Sequence, residues 1–354
     1  MPYTLTTLSD LPSAGFDDVI DARSPAEFAE DHLPGAVSLP VLSNEERADV
    51  GTMYVQVDRF GARRLGAALV LRNISDHLEM TLADKPGGWR PLIYCWRGGQ
   101  RSGTFGWLLR EIGWRAETLE GGYQSFRRLV VSDLYEQPLA HRFVVLAGMT
   151  CTAKTALLHR LQAAGMQMLD LEGLARHRGS VFGGWADPQP GQKAFETAIA
   201  TTLAGFDPAR PVVVEAESSK VGDLIVPPSV WKAMCAAPRV EVSAPLAARA
   251  AFFPAAYPDL VGNPGVFSDI VGRLRRLHGA EQIAAWQAQI AGGDFEGVAA
   301  GLIAAHYDPR YAKSQARFAH NLVGQLHLDQ LDPAALDAAT APLAEKLQAA
   351  ATAG

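Results

Sequence analysis

The sequence predicts an α/β protein of two domains, each containing a parallel sheet. Apolar runs at residues 92–94 and 141–147 have the length of buried strands, and each leads through a loop into a helical pattern. Strands and helical segments alternate along the chain, as expected where helices cover a parallel sheet. A length of 354 residues suits two domains. Because residues 130–138 are polar and mixed, we place the domains at 1–135 and 136–354, the second ending in a helical region.

The composition narrows the functional class. A net charge of -6 excludes a globally basic nucleic-acid binder, although local basic surfaces remain compatible with it. The three cysteines, at 95, 151 and 235, are too few and too scattered for a disulfide framework or a paired-cysteine zinc site, which favours a reducing compartment. No signal peptide is recognisable, and no apolar run approaches the roughly 20 residues of a membrane span. We expect a soluble cytoplasmic protein without membrane contact.

The first half of the chain supplies the predicted elements of a small sheet. Residues 17–23 read as a short strand that ends in an acidic–basic pair, and Ser24, Pro25 and Glu27 then form the pattern of a capping box at a helix start. Residues 37–39 and 116–119 read as further strands. Residues 43–80 carry apolar positions at helical spacing and predict one or two amphipathic helices.

Cys95 is the predicted nucleophile. Residues 95–103 read Cys-Trp-Arg-Gly-Gly-Gln-Arg-Ser-Gly and connect the strand at 92–94 to a helical pattern. Backbone N–H groups and the positive end of that helix would face the sulfur, and Arg97 and Arg101 add positive charge, so the thiolate is favoured. A merely packed cysteine is disfavoured by the two arginines and three glycines around it. The oxyanion cup would be completed by the remaining loop residues, Trp96, Gly98, Gly99, Gln100 and Ser102.

Four motifs of the first half resemble the rhodanese, or sulfurtransferase, domain. They are Asp-Ala-Arg-Ser-Pro-Ala-Glu-Phe at 21–28, Asp-His-Leu-Pro-Gly-Ala at 31–36, the Cys95 loop, and Leu-Glu-Gly-Gly at 119–122. The resemblance implies that Cys95 carries a persulfide or an equivalent chalcogen adduct. One departure is informative: Arg101 follows Cys95 by six positions rather than five, as in rhodanese-related phosphatases. The wider ring suits a tetrahedral oxyanion and disfavours a plain cyanide-detoxifying sulfurtransferase.

The second domain opens on a candidate phosphate loop. Residues 148–155 read Gly-Met-Thr-Cys-Thr-Ala-Lys-Thr between a strand and a helix, the context of a Walker A loop in a P-loop NTPase-like fold. Lys154 would neutralise phosphate oxygens, and Thr155 is a candidate ligand for Mg²⁺. The residues predicted to bind a diphosphate are Gly148, Thr150, Thr152, Ala153, Lys154 and Thr155. The alternative is an ordinary strand–helix turn that contains a lysine.

The phosphate loop departs from the usual pattern at two positions. Ala153 replaces the second glycine, and Cys151 stands at another position where glycine is common. Because alanine tolerates a left-handed backbone poorly, we expect weakened phosphate binding or loss of ATP turnover. Cys151 itself is expected to be packed rather than redox-active.

Carboxylates stand at the ends of two further predicted strands in this domain. Asp170 follows one strand, and Glu215 and Glu217 end another. In a P-loop fold such acids hold Mg²⁺ or orient a reacting group. A solvated strand end or an ion pair with Lys220 is the alternative.

Basic residues near aromatic ones are candidates for RNA contact, since they can bind phosphates while an exposed ring stacks on a base. Ordinary solvated or packed side chains are the alternative reading. The candidates are Arg127, Arg128, Arg273, Arg275 and Arg276. A segment reading His-Tyr-Asp-Pro-Arg-Tyr at 306–311 is either a structural turn or a substrate-contacting loop.

The complete motif set resembles bacterial tRNA 2-selenouridine synthases. Beyond the two loops it includes Val-Gly-Thr at 50–52, Gly-Ser-Val-Phe-Gly at 179–183, Glu-Ala-Glu-Ser at 215–218 and His-Tyr-Asp-Pro at 306–309. The resemblance implies a tRNA carrying 2-thiouridine at the wobble position, which is geranylated from geranyl diphosphate and then converted to 2-selenouridine with selenophosphate. It implies no tightly bound cofactor. From the residues themselves we expect a perselenide on Cys95 and the diphosphate at the phosphate loop, and this assignment of the two steps to the two domains is our hypothesis.

Two other functions remain compatible with the sequence. The Cys-x5-Arg spacing fits a cysteine-dependent phosphatase, for which turnover of a generic aryl phosphate would be diagnostic. A rhodanese-type persulfide carrier that delivers sulfur to a partner protein would bind no tRNA.

Overall fold

A computed structural model describes residues 2–185 and 187–353. The chain forms two compact units, one comprising residues up to 137 with 190–205, the other comprising residues 138–189 and those from 206 onward. A single boundary after residue 135 does not describe this return of the chain to the first unit. The returning segment forms the helix Gln192–Ala204, which buries Phe195, Ile199 and Leu203.

The first unit contains a four-stranded parallel sheet in the order β2-β1-β3-β4. The strands are β1 (Asp18–Asp21), β2 (Ala36–Ser38), β3 (Pro91–Tyr94) and β4 (Glu117–Thr118). Its helices are Asp10–Ser13, Pro25–Glu30, Asn44–Gln56, Arg59–Met80, Gln100–Ile112, Gly122–Val131 and Gln192–Ala204, with a π-helical turn at Ser132–Glu136.

Local sequence explains where these helices begin. The capping box at Pro25–Glu30 is present, and the Ser24 N–H donates to the Glu27 carboxylate over 3.0 Å. A second capping box starts Asn44–Gln56, and Asp58 caps Arg59–Met80 through its carboxylate, so the segment 43–80 contains two helices. All four residues of the central strand β3 are buried, which places Cys95 directly at its carboxyl end.

The second unit contains a five-stranded parallel sheet and a small antiparallel pair. The sheet order is β11-β10-β5-β7-β6, and β8 pairs with β9. The strands are β5 (Phe143–Ala147), β6 (Gln167–Leu169), β7 (Val212–Glu215), β8 (Lys220–Val221), β9 (Leu224–Ile225), β10 (Arg239–Ser243) and β11 (Leu322–His327).

Helices cover this sheet and form most of the chain beyond residue 245. They are Lys154–Ala163, Leu171–Ala175, Pro228–Ala236, Leu246–Ala256, Pro258–Val261, Pro264–Gly272, Arg275–Ala291, Phe295–Leu302, Asp308–Gln315 and Pro333–Ala353, with a π-helical turn at Ile303–Tyr307 and a 3₁₀ turn at Ala316–Asn321. The predicted α/β class, the parallel sheets and the helical C-terminal region are confirmed.

One strand lies where the sequence predicted only helices. Strand β11 pairs with β10 at the sheet edge, and four of its six residues are exposed. An edge strand with so little buried surface lacks the apolar run that identifies an interior strand, so its sequence gave no strand signal. Within the described part of the chain, no helix combines the length and apolarity that crossing a bilayer requires.

Candidate functional site

The Cys95 loop leaves β3 and enters the helix Gln100–Ile112, as predicted. Cys95 is 3% exposed, and the fully buried Ser102 donates its hydroxyl hydrogen to Cys95 Sγ over 3.1 Å. This hydrogen bond fixes the sulfur relative to the start of the helix.

Backbone N–H groups of the Cys95 loop point away from the neighbouring helix Gly122–Val131. The N–H groups of Tyr123 and Gln124 donate to the carbonyls of Cys95 and Trp96 over 2.8 and 3.1 Å. Because C=O and N–H point in opposite directions across a trans peptide, the N–H groups of Trp96 and Arg97 face the other way. Among the described residues neither has an acceptor. These free donors suit an oxyanion or an anionic chalcogen.

Two glycines allow the loop to form. Gly98 and Gly122 have φ values of +68° and +58°. A Cβ on Gly122 would lie 2.2 Å from the Cys95 carbonyl oxygen, so no larger residue fits without moving the loop. The Gly121-Gly122 pair is therefore needed for the observed conformation of the Cys95 loop.

The two loop arginines are held by partners other than the sulfur. Arg101 donates to the Glu27 carboxylate over 2.8 Å, and the same carboxylate lies 3.1 Å from Arg47 Nε. The exposed Arg97 donates to the Gln124 side chain over 3.2 Å. Sequence reasoning recognised Glu27 only as a helix cap, and its pairing with Arg101 gives it a second role.

The Glu27 carboxyl should make the first unit sensitive to acid. Burial alone would raise its pKa, but Arg101, the Ser24 backbone and Arg47 outweigh burial and hold the pKa at about 2. An unfolded glutamate titrates near pH ~4.3, so the stabilisation is complete above that pH and is lost as the pH falls towards ~2. A shift of this size corresponds to at most about 3 kcal/mol, and solvent screening of the half-exposed Arg47 pair lowers it.

We therefore expect the free energy of unfolding to fall more steeply with acid in the wild type than in Glu27→Gln. Glu30→Gln is the matched control, because the Glu30 side chain is 52% exposed and its pair with Lys193 contributes little. Urea unfolding followed by circular dichroism between about pH 2 and 6 measures both slopes. Parallel profiles for the wild type and Glu27→Gln would contradict this role of Glu27.

A buried polar network supports the carboxyl end of the first sheet. Asp21 and Arg23, both at most 1% exposed, form an ion pair at 2.6 Å. Tyr94 donates to Asp21 over 2.7 Å, and the Arg23 guanidinium lies 4.1 Å from the centre of the Tyr123 ring. Tyr123 in turn donates to Asp31 over 2.7 Å. The first two rhodanese-like motifs thus build the platform on which the Cys95 loop rests.

The phosphate loop of the second unit keeps a left-handed backbone without the usual glycines. Cys151 and Ala153 have φ values of +61° and +59°, a conformation that strains an L-residue by about 1–2 kcal/mol. Ala153 is 4% exposed and packs with Leu157 and Leu158 in the core, so its methyl group is accommodated. Lys154 Nζ donates to the Gly148 carbonyl over 2.8 Å and lies at the loop.

Cys151 is packed rather than reactive in this arrangement. The residue is 9% exposed and belongs to the same apolar cluster as Phe182 and Phe267. Burial raises the pKa of the Cys151 thiol to about 12, a shift that the nearby Lys154 and Arg249 only partly oppose. The side chain is therefore a neutral thiol at physiological pH.

The phosphate loop is held by residues that sequence reasoning did not assign to it. Arg249, 3% exposed, donates from Nε to the Thr150 carbonyl over 2.9 Å and forms two hydrogen bonds of 2.6 and 3.0 Å with Asp308. Tyr311 accepts a hydrogen bond from the Gly148 N–H over 2.8 Å. The sequence pointed to two of these residues only through the His-Tyr-Asp-Pro-Arg-Tyr segment at 306–311. This segment forms a π-helical turn and the start of a helix beside the loop.

His306 in that segment is buried and neutral. Its Nδ1 lies 2.9 Å from His278 Nε2 and 3.1 Å from Arg310 Nη1. Burial, followed by the charge of Arg310, lowers the pKa of His306 to about 4. The His306 imidazole therefore acts as a neutral hydrogen-bonding group and not as a cation.

Acidic residues face the start of the phosphate-loop helix. Glu215, 2% exposed, accepts a hydrogen bond from the Glu172 N–H over 2.7 Å, and Thr155 donates to the Glu172 carboxylate over 3.1 Å. Burial and the charges of Asp170 and Glu172 raise the pKa of Glu215 well above its ordinary value. Burial and Glu172 likewise raise the pKa of Glu217.

The acidic residues provide only part of the set of ligands that a cation needs. Glu215 Oε2 is buried without a hydrogen-bond partner, and Asp170 uses one oxygen to cap the helix Leu171–Ala175 through the Gly173 N–H at 2.7 Å. Across residues 2–185 and 187–353, no three histidine, cysteine or acidic residues have the arrangement of a metal site. Thr155 and Glu172 are the side chains that a Mg²⁺ ion at the phosphates would meet.

A cavity of about 720 Å³ opens beside the phosphate loop. Its lining includes the loop, the acids and the basic residues Arg178 and Arg310. Apolar and aromatic residues also line it: Phe252, Ala256, Tyr257, Leu277 and Phe318. An anion with an attached hydrocarbon or ring system would find both kinds of complementary surface in this cavity.

The predicted RNA-contact residues have different environments. Arg127 is engaged in an ion pair with the buried Glu196 and donates to the Lys193 carbonyl, so its guanidinium is committed within the first unit. Arg128 is exposed and donates to the backbone of Gln124 over 3.3 Å. The remaining candidates are exposed and have no carboxylate partner among the described residues: Arg273, Arg275 and Arg276.

Comparison with known proteins matches both units to characterised families. Residues 141–261 match the model of the tRNA 2-selenouridine synthase AAA domain, and residues 4–129 match that of the rhodanese-like domain. A tRNA 2-selenouridine synthase of Nitrosomonas europaea is 36% identical over 252 residues, 67% of this chain and 65% of the relative. That of Nitrosomonas eutropha is 37% identical over 238 residues, 65% of this chain and 60% of the relative.

A third relative extends the match. The tRNA 2-selenouridine synthase of Aeromonas salmonicida is 38% identical over 251 residues, 70% of this chain and 67% of the relative. The chain thus spans about two thirds of the length of these curated relatives. With a rhodanese-like and a synthase-specific domain matched in one chain, this protein belongs to the tRNA 2-selenouridine synthase family.

Proposed function

We propose that the protein converts wobble 2-thiouridine of tRNA to 2-selenouridine through an S-geranyl intermediate, using geranyl diphosphate and selenophosphate. The observation that carries this proposal is the pairing, in one family member, of a cysteine loop with unfilled N–H donors and a phosphate loop beside an apolar cavity. Each loop suits one of the two anionic cosubstrates. The tRNA substrate is taken from the relatives, which are tRNA 2-selenouridine synthases.

Geranylation is assigned to the phosphate-loop cavity. The thiocarbonyl sulfur of 2-thiouridine attacks C1 of geranyl diphosphate, the C1–O bond breaks, and diphosphate leaves with the electron pair while N3 loses its proton. Lys154 and the loop N–H groups neutralise the charge of the leaving diphosphate. The wall with Phe252, Tyr257 and Phe318 receives the hydrocarbon chain. This step needs an anion cradle but no nucleotide hydrolysis, which accommodates Ala153 in place of glycine.

Selenation is assigned to the Cys95 loop. Selenium of selenophosphate attacks C2 of the nucleoside, the C2–S bond breaks, and geranylthiolate leaves with its electron pair. Water then cleaves the Se–P bond and releases phosphate, so selenium keeps its oxidation level. The Cys95 thiol, oriented by Ser102, supplies the proton that the leaving thiolate requires. The alternative perselenide on Cys95 would need a two-electron oxidant if phosphate is the product, and neither cosubstrate provides one.

Mg²⁺ is compatible with the phosphate-loop site. Thr155 and Glu172, which hydrogen-bond to each other at 3.1 Å, are the residues that would hold it beside a bound diphosphate. When bound, the ion would neutralise phosphate charge. Exposed Arg128, Arg273, Arg275 and Arg276 are the residues available for contact with tRNA phosphates.

The deciding experiment is nucleoside mass spectrometry of tRNA bearing 2-thiouridine, incubated with the protein and with each cosubstrate supplied or withheld. We expect the S-geranyl nucleoside with geranyl diphosphate alone and 2-selenouridine with both. Lys154→Ala should reduce geranylation by at least about 100-fold, the scale of removing one preorganised charge-stabilising group. Cys95→Ser should block selenation of pre-geranylated tRNA while geranylation continues.

Lys232→Ala and Cys235→Ser are the matched controls, because both residues lie outside the two loops. Geranylation that survives in Lys154→Ala but fails in Cys95→Ser would reverse the assignment of steps. Extra sulfur on Cys95 without any nucleoside product would favour the persulfide carrier. Turnover of an aryl phosphate that depends on Cys95 and Arg101 would favour the phosphatase.

A further inference from the structure

The helix pair Asn44–Gln56 and Arg59–Met80 contains a cavity of about 510 Å³ that the proposed chemistry has not used. Its volume lies within the range of small-molecule sites, roughly 300–1,000 Å³. Val50 and Gly51, from the Val-Gly-Thr segment that forms part of the family resemblance, line it. That segment belongs to neither loop. Its position in the cavity lining suggests that it contributes to a ligand site.

Much of the lining of this cavity is apolar. Val50, Val55 and Val70 contribute methyl groups, while Gly51 and Ala67 leave room between the helices. A Cβ on Gly51 would meet no atom within 4 Å, which confirms that the space beside it is open. The apolar surface continues at the turn between the helices, where Val55 is 80% exposed. A hydrocarbon chain would gain by covering such a surface.

The lining of the same cavity also carries positive charge. Arg47, Arg63 and Arg101 line it, and no acidic residue is among its lining residues. Glu27 neutralises part of the charge of Arg47 and Arg101. Arg63 has no carboxylate partner in the described part of the chain, and its guanidinium carbon lies 5.9 Å from the centre of the Tyr54 ring. The cavity therefore suits an apolar chain attached to an anionic molecule.

The position of the cavity identifies which apolar chain fits the proposed reaction. Gln100, Arg101 and Thr104 line it, and they belong to the first turns of the helix that follows the Cys95 loop. A nucleoside whose C2 is displaced at the Cys95 loop must place its thioether substituent near that helix. RNA phosphates beside the base would meet the arginines of the cavity lining.

We infer that this cavity, the hairpin cavity, holds the geranyl chain of the S-geranyl nucleotide during selenation. The inference rests on the proposed function and assigns the leaving group a binding site in the first unit. The chain of the nucleotide lies against the valine walls, and the arginines contact the RNA backbone. The hairpin cavity thereby selects geranylated over unmodified tRNA at the Cys95 loop.

Binding of two short RNAs tests the inference. The probes are anticodon stem-loops that carry S-geranyl-2-thiouridine or 2-thiouridine, and fluorescence anisotropy gives their Kd values with the full chain. Burial of only two methylene groups corresponds to about tenfold in affinity, so the wild type should prefer the geranylated RNA by at least about tenfold. Ala67→Leu fills the cavity and should bring this preference close to unity.

Ala68→Leu is the matched control, because Ala68 is the neighbouring exposed alanine of the same helix and does not line the cavity. It should retain the wild-type preference. Gly51→Leu is a second filling variant, and because leucine has a higher helix propensity than glycine the substitution favours the helix that carries it. Its control on the same helix is Ala48→Leu, which also lies outside the lining.

Three results would overturn the inference: equal preference in Ala67→Leu and Ala68→Leu, no preference in the wild type, or weaker binding of geranyl diphosphate itself by Ala67→Leu. The last result would place the donor, not the modified nucleotide, in the hairpin cavity. Failure of the proposed function is distinguishable, because the wild type would then make no 2-selenouridine from S-geranyl RNA. If the wild type makes 2-selenouridine but the filling variants keep its preference for geranylated RNA, the proposed function stands and only the inference about the hairpin cavity fails.

Discussion

Replacing Arg249 by methionine should destabilise the phosphate loop by about 3 kcal/mol and abolish the proposed binding of geranyl diphosphate. Arg249 is buried, bonds twice to Asp308 and holds the Thr150 carbonyl. Its removal leaves Asp308 without its partner charge and Thr150 without its donor. The strained residues Cys151 and Ala153 would then relax, since the left-handed loop is maintained by surrounding contacts.

Hydrogen exchange of residues 143–163 as a function of urea measures the stability, and calorimetry with geranyl diphosphate measures the binding. Arg160→Met is the control: its partner Asp337 is 68% exposed, so we expect a loss below about 1 kcal/mol. A double variant with Asp308→Asn should lose less than the sum of both single losses, because the two side chains form one interaction. Unchanged protection of the loop in Arg249→Met would refute its role as the loop anchor.

Replacing Arg23 by methionine should cost the first unit about 3–5 kcal/mol, the range for breaking a buried ion pair. Asp21 would keep a buried carboxylate with only Tyr94 and backbone donors around it. The Asp31 carbonyl would lose its donor at 2.6 Å, and the Tyr123 ring would lose the guanidinium beside it. Because this network lies under the Cys95 loop, we also expect faster alkylation of Cys95.

Urea unfolding and the rate of Cys95 alkylation by iodoacetamide measure these two effects. Arg90→Met is the control, since Arg90 forms a partly exposed pair with Glu117 at 2.8 Å and should cost no more than about 1 kcal/mol. Combining Arg23→Met with Asp21→Leu removes both charges and should recover part of the stability. If Arg23→Met unfolds like Arg90→Met, the buried pair is not a principal support of the unit.

The Cys95 loop and the phosphate loop could be predicted from the sequence because short-range patterns determine them. Cys95 follows a buried strand and precedes a glycine-rich helix start, and the structure has that arrangement. The capping box at Ser24 and Glu27 is likewise a three-residue pattern with a defined hydrogen-bond geometry. The phosphate loop was located from its Lys-Thr dipeptide between a strand and a helix.

The sequence was less informative where a residue's role depends on a distant partner. Arg101 was expected to serve the sulfur, yet its partner Glu27 lies 74 positions away. Arg127 was a candidate for RNA contact, but it pairs with Glu196 on a helix that rejoins the first unit from residue 192. No periodicity links such pairs, so composition and spacing contain no signal for them.

By itself, the sequence determined the α/β class, the two loops and the family, because strand–loop–helix patterns and motif order are local properties of the chain. Only the tertiary structure decided what supports each loop: Arg249 with Asp308 in one unit, and Glu27 with Arg101 in the other. It also decided the existence of the hairpin cavity, which depends on how two helices pack. Ion pairs and cavities arise from packing between segments far apart in sequence, and that packing is fixed only when the whole unit folds.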